Sequence, residues 1–151
     1  MKPSLVHVAL LALLPLACSG DPPDDSPLGR EAAALLARPE QQVDKVTVQH
    51  VLLAFVGATR GSESGHTFEE ARVLAADVLA RARAGEDFIV LMQQESGDEG
   101  PGTYTLTQAD RDTYAEDFGA VAFRLAVGEI GVAAYHRTRS PFGWHVIKRI
   151  E

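Results

Sequence analysis

The chain has 151 residues, enough for one domain with appendages, and its apolar share of 46% is that of a globular protein. A net charge of −7 argues against nucleic acid as a partner, and from Val46 onward ten Lys/Arg face fifteen Asp/Glu. The single cysteine, Cys18, rules out an internal disulfide and a cysteine-based metal site, and the five histidines form no i, i+4 pair of the helical zinc type.

Met1-Lys2 opens a short basic end, and Leu5 to Leu16 is apolar apart from His7. This run is too short to span a membrane and has the length of an export-signal core. It leads into Leu14-Pro15-Leu16-Ala17-Cys18-Ser19-Gly20, which resembles a bacterial lipobox. A small residue, Ala17, precedes the cysteine, and Pro15 stands where leucine is usual. The resemblance implies a signal peptide over 1–18, lipidation of Cys18, and a membrane-anchored lipoprotein of the bacterial envelope. Ser19 carries no acidic retention signal, which points to the outer membrane facing the periplasm. The competing reading is an ordinary secretory signal cleaved nearby. Residues 19–45 then read as a tether. Asp21 to Ser26 is too rich in proline and acid to pack. Glu31 to Arg38 is helix-prone up to Pro39, either packed on the domain or standing as a spacer.

The folded domain is expected over 46–151. Its first strand spans about 46–54, and Gly57 to Gly65 is a loop. Thr67-Phe68-Glu69-Glu70 is a capping box, and the helix after it carries Ala71, Leu74, Ala75, Val78, Leu79 and Ala82 on one face. Gly85 stands where a left-handed cap ends such a helix. Asp87 caps a second helix over 88–95. Ser96 to Gly102 is a loop, and Tyr104 and Leu106 lie in a brief extended piece. Thr107 with Asp110 starts a turn of helix near 108–113. Phe118, Val121, Ala122 and Leu125 give a further amphipathic helix closed by Gly128. Glu129 to Tyr135 is extended, and 143–150 is the final strand. Strands at both ends with helices between read as α+β, with a small, mostly antiparallel sheet.

The first and last strands each carry one internal histidine, His50 and His145. If the strands are neighbours, the two imidazoles meet. The plainer reading of each is a satisfied core or surface residue.

The stretch from Val46 to Glu151 resembles the parvulin-type peptidyl-prolyl isomerases. Five pieces carry the likeness, in the family's order. They are Gln49-His50-Val51-Leu52-Leu53; Ala84-Gly85-Glu86-Asp87-Phe88; Ser96-Gly97-Asp98; Phe118 with Ala122-Phe123-Arg124-Leu125 and Val127-Gly128-Glu129-Ile130; and Ser140-Pro141-Phe142-Gly143-Trp144-His145-Val146-Ile147-Lys148. The chain departs from the pattern at three places. Gly100-Pro101-Gly102-Thr103-Tyr104 replaces a longer glycine turn, and Tyr114 stands where methionine is common. Ala133-Ala134 replaces Pro-Val and is followed by the extra residues His136 to Arg139.

The resemblance implies a four-stranded sheet surrounded by about four helices. It also implies cis/trans isomerisation of X-Pro bonds without a cofactor or metal. Phe118 and Phe142 become walls for the proline ring, with Tyr114 in place of the methionine and Tyr104 at the rim. His50 and His145 become a hydrogen-bonded pair at the pocket floor, Asp98 a carboxylate biasing the field there, and Ser140 a hydroxyl bonded to the histidine cluster. Core packing or a solvated loop is the plainer reading of each. Phosphate-directed members use several basic residues in the first loop, whereas Arg60 here stands alone against Glu63, so phosphate dependence is not expected. The implied partners are proline-containing unfolded or envelope polypeptides. The alternative is a catalytically weak binding module or chaperone on the same scaffold, and beyond that a structural envelope lipoprotein. Arg137 and Arg139 in the extra loop read either as a solvated hairpin tip or as a preference for acidic residues near the proline.

Overall fold

A computed structural model describes residues 24–61 and 63–151. The expected signal peptide, Cys18 and the start of the expected tether lie outside the described residues. Among the described residues no helix is long and apolar enough to cross a membrane.

Among the described residues nine elements follow one another: α1 (Pro27–Leu36), β1 (Lys45–Leu53), α2 (Phe68–Arg83), α3 (Phe88–Glu95), β2 (Thr103–Thr107), a 3-10 turn (Arg111–Thr113), α4 (Glu116–Ala122), β3 (Ile130–Ala133) and β4 (Trp144–Arg149). The four strands form one antiparallel sheet in the order β2-β1-β4-β3. The last strand thus lies in the middle, hydrogen-bonded to the first.

Local chemistry explains most boundaries. Thr67 and Glu70 bond each other's backbone N–H at the start of α2, and Arg81 and Arg83 sit in its last turn, where the helix dipole favours cations. Gly85 follows at φ +99°, a conformation that would strain any residue with a Cβ. The Asp87 carboxylate accepts from the N–H groups of Ile89 and Val90 and starts α3. Thr107 and Asp110 bond reciprocally, each side chain accepting the other's N–H, and so turn the chain after β2.

The period-two alternation of the strands divides the interior into two cores. Val51, Leu53, Val132, Trp144 and Val146 face α2 and α3, where they meet Ala71, Ala75, Val78, Leu79, Phe88 and Leu91. Val46, Val48, Leu106 and Ile147 face the other way, onto Phe118, Val121, Ala122 and Phe123. Helices therefore cover both faces.

Helix α1 begins earlier than the expected start at Glu31, because Pro27 takes the first helical position and the Ser26 side chain accepts the Gly29 N–H. It is not a spacer. Leu28 and Ala32 enter one core and Leu35 the other. Each buried leucine contributes about 1.5–3 kcal/mol. The folded body thus extends N-terminal of the expected boundary at Val46, and α1 packs beside the edge strand β3.

Candidate active site

The pairing of β1 with β4 places His145 opposite Leu52 and His50 opposite Ile147. His50 and His145 therefore point to the α4 side from adjacent strands, one step apart. Their Nδ1 atoms are 3.1 Å apart and the rings stack at 18°. Both side chains are buried.

Asp98 reaches the same spot from the loop after α3. Leu52 lies beyond the end of β2, so its backbone groups on that side need other partners. The Ser96 side chain accepts the Leu52 N–H, and the Leu52 carbonyl accepts the Gly97 N–H. The loop is thereby stitched to β1, and the Asp98 Oδ2 lies 2.8 Å from His50 Nε2 and 2.8 Å from the Tyr104 hydroxyl. Its Oδ1 accepts the Gly100 N–H. A Cβ on Gly100 would come within 2.1 Å of the Tyr104 oxygen, so a side chain there would push the hydroxyl away from Asp98.

These contacts order the protons. A carboxylate can only accept, so His50 Nε2 must carry hydrogen toward Asp98. In its neutral form His50 then accepts at Nδ1 from the Nδ1–H of His145. That leaves His145 Nε2 a buried lone pair with no hydrogen-bond partner. Burial, and secondarily His50, push the His145 imidazole far below its ordinary range, so it is neutral at physiological pH. The His50 hydrogen bond, joined by those from Tyr104 and Gly100, holds Asp98 well below the usual carboxylate range. Burial, with the Asp98 carboxylate beside it, pushes Tyr104 up to about 12, so the phenol keeps its proton and donates a hydrogen bond to Asp98.

Above this floor opens a cavity of about 700 Å³. Phe118 stands edge-on to His50 at 5.1 Å and tilted against His145 at 5.3 Å. Tyr114 lies 6.1 Å from Phe118 and 5.9 Å from Tyr104, completing an aromatic wall. Phe142 lines the opposite side, half-buried, with the Arg60 guanidinium 5.8 Å from its ring centre. The Thr59 N–H donates to the Pro141 carbonyl and holds the first loop against this rim.

Seven of the eight expected site residues thus line one cavity. Ser140 does not. It is fully buried, but its Oγ makes no hydrogen bond, and its backbone pairs with His136 instead. The expected bond to the histidine cluster is therefore absent, and main-chain bonds to His136 in both directions hold the residue in place. The sequence reading also missed Leu52 and Ala54, which line the cavity. Their signal was present: they follow His50 at i+2 and i+4, on the same face of one strand. Arg139 lies 3.4 Å from buried Asp117, and neither Arg137 nor Arg139 lines the cavity.

The family model described as "PPIC-type PPIASE domain" matches residues 35–151. The chain belongs to the parvulin-type peptidyl-prolyl isomerases. It is accordingly a peptidyl-prolyl cis/trans isomerase, acting on proline-containing peptides. Two solved structures share the parvulin fold. The solution structure of TbPIN1 superposes with a TM-score of 0.58 at 20% identity, covering 73% of this chain and all (100%) of that one. The peptidyl-prolyl isomerase ESS1 of Candida albicans gives 0.57 at 22% identity, covering 75% of this chain and 66% of that one. No curated protein matches the chain.

Proposed function

We propose that this parvulin isomerises X-Pro bonds of exported or envelope polypeptides by non-covalent catalysis, without phosphate in the substrate. The observation that carries the catalytic reading is the hydrogen-bonded row Tyr104–Asp98–His50–His145 lying directly beneath Phe118.

The planar X-Pro amide is held by resonance, and its uncatalysed rotation takes tens of seconds or more. A site that accepts the twisted amide better than the planar one accelerates rotation tenfold for each 1.4 kcal/mol of preference, as an order of magnitude. Phe118, Tyr114 and Phe142 supply apolar surface for the proline ring. The floor beneath is neutral at His145 and anionic at Asp98, fixed by hydrogen bonds rather than by mobile water, so little reorganises as the carbonyl turns. A covalent route has no support. The sole cysteine is Cys18, and the Asp98 carboxylate already accepts three hydrogen bonds and has its basicity depressed by them.

Phosphate independence follows from charge. Among the described residues lining the cavity, Arg60 is the one Lys or Arg, facing Glu63, Asp98 and Glu99. A phosphate dianion brought there meets more acid than base. The export reading rests on Leu5–Leu16 and Ala17-Cys18, with lipid at Cys18 as the anchor.

The test is a protease-free cis/trans assay of the full chain on Ala-Pro and phosphoserine-Pro peptides. Acceleration of Ala-Pro with no gain from phosphate is expected. A gain above tenfold with phosphate would overturn the substrate reading. Binding without acceleration would make the chain the binding module instead.

A further inference from the structure

The segment between α1 and β1, residues 37–44, does not simply connect them. It is laced along its length to the stretch 107–124, which carries Tyr114 and Phe118. The Arg38 carbonyl accepts from Arg124 Nε at 2.8 Å, and the Gln41 N–H donates to the Phe123 carbonyl at 2.8 Å. The Val43 and Asp44 carbonyls accept from the side chain and backbone of Gln108.

Glu40 is the centre of this lacing. One carboxylate oxygen is 2.8 Å from Arg111 Nη1, and the other is 2.9 Å from Arg111 Nη2, a two-pronged contact of the strong type. Arg124 Nη1 also reaches Glu40, at 2.7 Å, while holding the Ala120 carbonyl at 2.8 Å. The Arg111 guanidinium in turn lies 4.8 Å over the Phe123 ring. All three charged side chains are largely covered, with 26%, 22% and 18% exposure for Glu40, Arg111 and Arg124. Arg111 opens the 3-10 turn whose end is Tyr114, and Arg124 follows the end of α4. The two arginines therefore bracket Tyr114 and Phe118 in sequence, and one carboxylate holds both.

We infer that Glu40 is a positioning residue of the isomerase. It lies outside the pocket and sets the separation of Tyr114 and Phe118 through Arg111 and Arg124. The inference rests on the reading of Phe118 and Tyr114 as the proline wall. Without the carboxylate, two guanidinium groups in one crevice repel each other, and the 107–124 stretch is free to shift relative to the histidine floor. The ring is gripped in the planar and twisted states alike, so the loss falls mainly on substrate binding.

The test uses Glu40→Gln in the full chain, with Phe118→Ala and Glu31→Gln beside it. Glu31 pairs with Arg83 at the surface between α1 and α2, away from the pocket wall. Glu40→Gln should remain folded at 10 °C and show a KM about five times higher with kcat within twofold. Glu31→Gln should match the parent in both. Because Arg111 and Arg124 would still be crowded, Glu40→Gln combined with Arg124→Gln should recover part of the KM. An unchanged KM in folded Glu40→Gln, an equal rise in Glu31→Gln, or unfolding of Glu40→Gln at 10 °C would each overturn the inference. Full activity of Phe118→Ala would instead mean that the pocket assignment had failed.

Discussion

Replacing Asp98 by asparagine tests the floor of the site most directly. One oxygen, Oδ2, accepts from both His50 Nε2 and the Tyr104 hydroxyl, at 2.8 Å each, and the other accepts from Gly100. Asparagine has one oxygen. Placed at Oδ2 it keeps the first two bonds, but its NH2 group then faces the Gly100 N–H, donor against donor. The two retained bonds also lose their charge. Charge-assisted hydrogen bonds contribute roughly 1.5–3 kcal/mol and neutral ones about 0.5–1.5, so about 1 kcal/mol is lost from each. The Asp98 side chain is 20% exposed, and water can serve Gly100 in the open loop, so the total is about 2 kcal/mol. For a chain of this size that lowers Tm by about 4–8 °C. The pH dependence has a definite sign. A carboxyl whose folded pKa is depressed stabilises the protein above its unfolded value of 3.8 and loses that contribution only as pH falls through the folded value. The difference in Tm between parent and variant should therefore stay constant from pH 7 to about 4 and close below that. The Tyr104 titration should also move down, because the phenol loses the Asp98 charge. It should stay above the ordinary value, since burial is the larger cause. Coincident melting curves at pH 7, or an unchanged ultraviolet tyrosine titration, would refute the assignment of Asp98 as the anchor of the row.

Phe118→Ala should lower kcat/KM by about tenfold or more, equivalent to at least about 1.4 kcal/mol in the transition state. The same truncation costs about 3–5 kcal/mol of stability, so circular dichroism must accompany the assay; full activity in a folded variant contradicts the wall. His145 is held neutral by burial, so the unfolded chain takes up a proton there that the folded chain does not. Stability should fall as pH drops below 6.5, approaching about 1.4 kcal/mol per pH unit near pH 5. Asp117, whose carboxyl burial raises, works in the opposite sense. Urea melts at pH 7, 6 and 5 check the sum, and a profile rising toward pH 5 would mean that His145 is not the dominant group. Cys18→Ser should release the protein from the membrane fraction and abolish fatty-acid labelling, and retention of both contradicts the anchor.

Where the determinants were local, the sequence carried them. The capping box of α2, the Asp87 cap of α3 and the Thr107/Asp110 turn each depend on side chains three residues or fewer from the N–H they bind. Such bonds form wherever those residues occur, so the boundaries follow from reading. Alternation in β1 and β4 likewise determined that His50 and His145 each share a face with their i+2 neighbours. Cys18 and the pattern around it lie in the sequence alone. Only the tertiary structure decided that β4 inserts between β1 and β3, which brings the histidines to 3.1 Å across 95 positions of chain. It alone left the Ser140 hydroxyl unbonded and paired Arg139 with Asp117. It also brought Glu40 to Arg111 and Arg124, 71 and 84 positions away. The reason is physical. A cap is selected by the torsions of one turn, whereas a long-range contact is selected by the free energy of the whole packed interior, and no short window of residues contains that sum.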